Sequence, residues 1–101
     1  MEARQLAASQ AQIEEFCLRH QIRKLSLFGS ILTSRFQDTS DIDLLVEFEP
    51  GQVPGYFRLT GMELELSEML GRKVDLRTPN ELSRSFREEV LAGAVVQFER
   101  Q

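Results

Sequence analysis

The chain has 101 residues, 12 of them basic and 16 acidic, for a formal charge of -4. That length supports one small domain spanning 1–101, and 42% apolar with 28% charged residues is globular composition, not disorder. The acidic balance argues against stable nucleic-acid binding. No apolar run approaches the roughly 18 residues of a membrane span, and the lone Cys17 with no basic-then-apolar leader points to a cytoplasmic protein without disulfides or a cysteine-cluster zinc site.

In chain order, residues 9–20 read as an amphipathic helix. Ser9 and Gln12 have capping-box spacing, and Ile13, Phe16, Cys17 and His20 recur on one face. His20 reads as a helix-terminal, half-buried residue and Cys17 as a small core hydrophobe. Residues 23–28 form a strand ending at Gly29. A short polar segment over 30–36 has room for one or two helical turns, and 37–40 is a turn by composition. Residues 41–48 make the clearest strand. A helix follows over 56–70, with Leu59, Met62, Leu66, Met69 and Leu70 on one stripe and Gly71 as its stop. Residues 72–77 alternate as a short strand. Thr78-Pro79 opens a helix over 80–92 with Leu82, Phe86 and Val90 inward, and 94–98 form a last strand. The order α-β-α-β-α-β-α-β implies one α+β layered domain with a core over 22–98.

The acids are unevenly divided, twelve Glu against four Asp. Glu is well tolerated on helix faces, whereas Asp is disfavoured in helices and strands. Three of the four Asp nevertheless fall in strand-like runs. Side chains alternate across a strand, so Ile42, Leu44, Val46 and Phe48 share the core face, while Asp41, Asp43, Leu45 and Glu47 share the other. Asp41 and Asp43 then stand roughly 6–7 Å apart along the strand. Such a pair suits hard divalent cations, because Mg²⁺ takes oxygen ligands, commonly one or two carboxylates plus substrate phosphates. Asp75 repeats the pattern between Lys73 and Arg77, with Val74 and Leu76 inward. Paired beside the first strand, it would bring a third carboxylate, with Lys73 and Arg77 flanking the site toward phosphate oxygens. Glu47, farther along, reads as solvent-facing. Gly29-Ser30 follows an apolar strand, and its backbone N–H groups and hydroxyl suit an anion.

Gly29-Ser30, a ten-residue gap and Asp41-Ile42-Asp43 resemble the signature of the DNA polymerase β-like nucleotidyltransferase superfamily. The wider wording, Leu27-Phe28-Gly29-Ser30, then 40–48, then Leu70 to Leu76 and Thr78-Pro79, resembles the minimal nucleotidyltransferase (MNT) antitoxins over residues 22–98. The resemblance implies a nucleotidyltransferase fold, a small mixed β-sheet flanked by helices, with ATP as substrate and two Mg²⁺ ions. It makes Asp41 and Asp43 metal ligands. Asp75 becomes a third ligand and a base toward the attacking hydroxyl, and Gly29 and Ser30 become triphosphate-binding positions. MNT proteins are described as pairing with a HEPN-domain toxin, a small helical ribonuclease, and silencing it by moving AMP from ATP to a toxin tyrosine. A hetero-oligomer with that toxin is thus an open expectation. Many members carry Arg three residues after the Gly-Ser pair. Here that residue is Thr33, and Arg35 is the nearest guanidinium able to substitute from the next turn.

Two other readings stand beside the enzyme. One is a catalytically weak module of the same fold that neutralises its partner by binding, for which Thr33 is the hint. The other is a small-molecule nucleotidyltransferase of the aminoglycoside type. Those usually add an acceptor domain, for which 101 residues leave no room.

Overall fold

The computed structural model describes residues 9–29 and 41–100. They form α1 (Gln10–Arg19), β1 (Ile22–Phe28), β2 (Ile42–Phe48), α2 (Tyr56–Leu70), β3 (Val74–Arg77), α3 (Arg84–Gly93) and β4 (Val95–Glu99). The strands make one mixed sheet in the order β3-β2-β1-β4, with β2–β3 parallel and the other pairs antiparallel. The expected helical segment at 30–36 and turn at 37–40 lie outside the described residues.

Local chemistry sets the element ends. Ser9 Oγ accepts from the Gln12 N–H at 3.2 Å, and Gln12 Oε1 accepts from the Ser9 N–H at 3.0 Å, the expected capping box. Helix α2 ends at Gly71, whose φ of 67° only glycine adopts freely. The turn out of α1 lacks such a residue. Gln21 sits at φ 58°, a left-handed conformation that carries about 1 kcal/mol of strain for a residue with a Cβ. Its carbonyl accepts from the Glu49 N–H at 3.0 Å, which holds the turn against the end of β2.

Strict alternation would put Ile22 and Leu25 on opposite faces, yet both are buried together. A bulge between Ile22 and Lys24 sets two β1 residues against one of β2 and turns the parity. Leu25, Leu27, Leu44, Val46, Val74 and Leu76 then pack under Phe16 of α1 and Met62 and Leu66 of α2. A smaller cluster of Phe28, Leu45 and Val90, with Leu82 and Ala94 against it, lies on the opposite face beneath α3.

The single helix expected over 80–92 is replaced by two pieces. Thr78 and Glu81 close a capping box around a 3₁₀ turn, Pro79–Glu81. The chain is then extended at Leu82 and Ser83, and α3 starts afresh at Arg84. Arg87 ties the pieces together, donating to the Pro79 carbonyl at 2.7 Å and the Leu82 carbonyl at 3.1 Å. In the shortened α3 Phe86, expected inward, falls in the first turn and is 48% exposed, while Val90, one turn further on, is buried as expected. Among the described residues no helix is long and apolar enough to cross a membrane.

Candidate active site

Strands β2 and β3 run parallel in a register that sets Ile42 beside Val74, Asp43 beside Asp75 and Leu44 beside Leu76. The two apolar pairs fill the α1–α2 core. The acidic pair therefore projects from the other face, on neighbouring strands about 4.8 Å apart. Asp41 sits one residue before β2, where the Ile42 N–H donates to the Lys73 carbonyl at 2.9 Å. The β2–β3 pairing anticipated from sequence thus brings Asp41, Asp43 and Asp75 to one end of one face.

Gly29 is built into the same end. Phe28, the residue before it, pairs with Asp43 across β1 and β2. Gly29 has φ +80°, and a Cβ placed on it would collide with Asp43 Oδ2 and stand 3.1 Å from Asp43 Cγ. Glycine is therefore required twice here, once by backbone conformation and once because the half-buried Asp43 carboxylate occupies the side-chain space.

The flanking cations make long ion pairs. Lys73 Nζ lies 3.7 Å from Asp41 Oδ2, and Lys73 is 73% exposed. Arg77 spans Asp75 Oδ1 at 4.0 Å and Glu81 Oε2 at 3.7 Å. Exposed pairs of this length hold their partners weakly, so both cations stand beside the carboxylates without being locked to them. Ser30, Thr33 and Arg35 lie outside the described residues. Glu47 is half-buried opposite Lys24 on the carboxylate face, two residues beyond Leu45.

Among the described residues no three His, Cys, Asp or Glu side chains form a ready-made metal cluster. The donor set still fits Mg²⁺. All three donors are carboxylates, Asp43 and Asp75 are register partners, and Mg²⁺ normally draws only one or two carboxylates from protein and its other ligands from water and phosphate.

His20 belongs to a different place. It caps α1 on the opposite face, with Nε2 3.0 Å from Glu65 Oε1, while Arg19 Nη2 reaches Glu65 Oε2 at 2.6 Å. The Arg19 hydrogen bond, helped by His20, holds the Glu65 carboxyl below its usual range against the opposing effect of burial. Cys17 is buried, and desolvation, with the Glu14 charge adding to it, pushes its thiol up to about 12, as befits a core residue.

The sequence pattern missed that the carboxylate face is itself roofed. Leu45, grouped with the aspartates, is only 1% exposed beneath α3. The signal was present in Leu44-Leu45-Val46, since three successive apolar residues mark a strand covered on both faces.

A family model described as a nucleotidyltransferase domain matches residues 10–96. The Methanocaldococcus jannaschii protein MJ0435, provisionally named a protein adenylyltransferase, is 37% identical over 78 residues, covering 77% of this chain and 82% of that protein. Protein adenylyltransferase MntA of Thermococcus cleftensis is 30% identical over 90 residues, covering 89% of this chain and 86% of its own length. A solved structure provisionally described as a minimal nucleotidyltransferase matches with TM-score 0.70 and 31% identity, over 85% of this chain and 86% of that one. A chain of a toxin–antitoxin crystal structure with AMP-PNP matches with TM-score 0.74 over 92% of this chain and 75% of that one, at 19% identity, a likeness of fold alone.

Proposed function

The chain belongs to the nucleotidyltransferase domain family, and from that membership we propose that it is the antitoxin of a toxin–antitoxin pair. In this reading it transfers AMP from ATP to a tyrosine hydroxyl of a HEPN-domain ribonuclease toxin. The observation that carries the reading is the convergence of Gly29, Asp43 and Asp75 at one end of the sheet. Protein adenylyltransferase names among the relatives support the acceptor class, and the fold shared with a toxin–antitoxin structure holding AMP-PNP supports the nucleotide and the partner.

Each residue then has a task. Gly29 lets the triphosphate approach the backbone, and Ser30 offers it a hydroxyl. Asp41, Asp43 and Asp75 would hold two Mg²⁺ ions. Bound there, Mg²⁺ would neutralise charge on the attacking and leaving oxygens of an in-line displacement. Asp75, on the edge strand, takes the proton of the acceptor hydroxyl. The new bond joins that oxygen to the α-phosphorus, the α–β phosphoanhydride bond breaks, and pyrophosphate leaves with the bond pair. Lys73 and Arg77, with Arg35, give the departing phosphates cationic partners. Such chemistry asks mainly for positioning and charge neutralisation, within reach of a small scaffold.

The test is label transfer from ATP to the toxin encoded beside this gene, with Mg²⁺ present. Asp41→Asn combined with Asp43→Asn should lower transfer by at least about 10³-fold, equivalent to about 4 kcal/mol of barrier, while the protein stays folded. Transfer that survives the double substitution would refute the metal assignment. A wild type that silences the toxin without any transfer, and whose double variant silences it equally, would establish occlusion instead.

A further inference from the structure

Asp75 rides on β3, the shortest strand and an edge of the sheet, bonded to a neighbouring strand on one side only. In a parallel ladder alternate residues face the partner strand. Because the Lys73 carbonyl serves the Ile42 N–H, the N–H groups of Val74 and Leu76 point outward. Both are taken by α2. The Val74 N–H donates to Ser67 Oγ at 3.0 Å, and the Leu76 N–H donates to a carboxylate oxygen of Glu63, Oε2, at 2.7 Å. Ser67 donates in turn to the Glu63 carbonyl at 2.7 Å. Glu63 and Ser67 are one helical turn apart on the flank of α2 that meets β3, so the residues on either side of Asp75 are pinned from outside the sheet.

We infer that Glu63 is a positioning residue for Asp75: its carboxylate takes the place of the missing neighbouring strand and fixes the backbone that sets Asp75 beside Asp43. This rests on the reading of Asp75 as part of the transfer site. A solvating role, the ordinary use of a helical Glu, does not account for a short charged bond to a main-chain N–H thirteen residues away, at a leucine only 2% exposed. The second bond, at Val74, matters for the same reason. One tether would let β3 pivot about Leu76, whereas two hold the segment on both sides of Asp75. In-line displacement is sensitive to misplacement on the scale of an ångström, so a looser β3 edge acts on the chemical step more than on nucleotide binding.

Two variants separate position from charge and from packing. Glu63→Met keeps length and helix preference but has no comparable acceptor, whereas Glu63→Gln keeps the Oε1 acceptor and loses the charge. With the full chain, its toxin, ATP and Mg²⁺, Glu63→Met should lower kcat about tenfold with KM for ATP changed less than about twofold. Amide exchange at Leu76, followed by NMR at a temperature where both proteins are folded, should speed up by at least about tenfold. Glu63→Gln should recover most of both. Unchanged kcat in Glu63→Met, unchanged exchange at Leu76, or an equal loss in both variants would overturn the assignment. A wild type that transfers no AMP would defeat the proposed reaction alone. Leu76 exchange and the carboxyl carbon shift of Asp75 would then still decide whether Glu63 holds that residue in place.

Discussion

On one face of the sheet Leu44 and Val46 are sealed against α1 and α2. On the other, the neighbouring residues of the same strand divide, with Leu45 buried under α3 while Asp43 is only half-covered. Strand β2 thus builds the main dry core with Leu44 and Val46, and on its other face a smaller dry cluster at Leu45 beside the half-covered Asp43. The contrast teaches that stability and chemistry are drawn from the same seven residues, with the pleat setting the main core apart and position along the strand dividing Leu45 from Asp43. They should therefore respond separately to substitution, except where one residue serves both.

The largest effect should come from the core face. Leu44→Ala should destabilise the fold by about 3 kcal/mol, read as a lower urea midpoint, while Leu45→Ala under the smaller α3 roof should lose about 2. An equal or reversed order would break the comparison, because it would make the α3 face the main source of stability. Gly29→Ala probes the point where the two roles meet. The left-handed backbone alone should cost about 1–2 kcal/mol of stability. The new methyl must also displace the Asp43 carboxylate, so AMP transfer should fall further than the loss of folded protein explains. Activity that merely tracks the folded fraction would show that Asp43 has room to move.

The smallest effect belongs to the helix side, at Glu65. Its folded-state pKa lies below the ordinary value of 4.5, chiefly through Arg19. The associated stability is full above that value and is lost as pH falls through the folded pKa. Glu65→Gln should remove this acid-side loss, at most about 1 kcal/mol because the pair is partly exposed, and leave nucleotide transfer at neutral pH untouched. The readout is the melting temperature of both proteins as pH is lowered through the carboxylate range. An identical acid limb would move the origin of any acid sensitivity away from the α1–α2 contact.

Features decided by short stretches are legible in the sequence itself. The Ser9–Gln12 box, the Gly71 stop and the alternation of 42–48 each involve residues a few positions apart, and the shared face of the three aspartates follows from strand alternation once β2 and β3 are neighbours. What was not legible depends on contacts between distant segments. Nothing local marks the bulge at Ile22/Lys24, which exists because Ile22 and Leu25 must both reach the same core. The break before α3 was hidden because Thr78-Pro79 begins a helix equally well whether it lasts one turn or four. Its outcome turned on Arg87 bonding the two pieces across the extended Leu82 and Ser83. Nothing in the sequence sets Glu63 apart from the other helical Glu, since its partner amide lies on another element.

The tethers on β3 bear on self-association as well. A sheet extends into a fibril only when it can accept a new strand at both margins. Here one margin has its two outward amides already occupied by Ser67 and Glu63, and an incoming strand would find neither donor available. Strand pairing between copies is therefore directed to β4, the other margin, where two copies would join back to back with β3 outermost on both sides. The bonds that steady one aspartate therefore also make its strand a poor template for another copy.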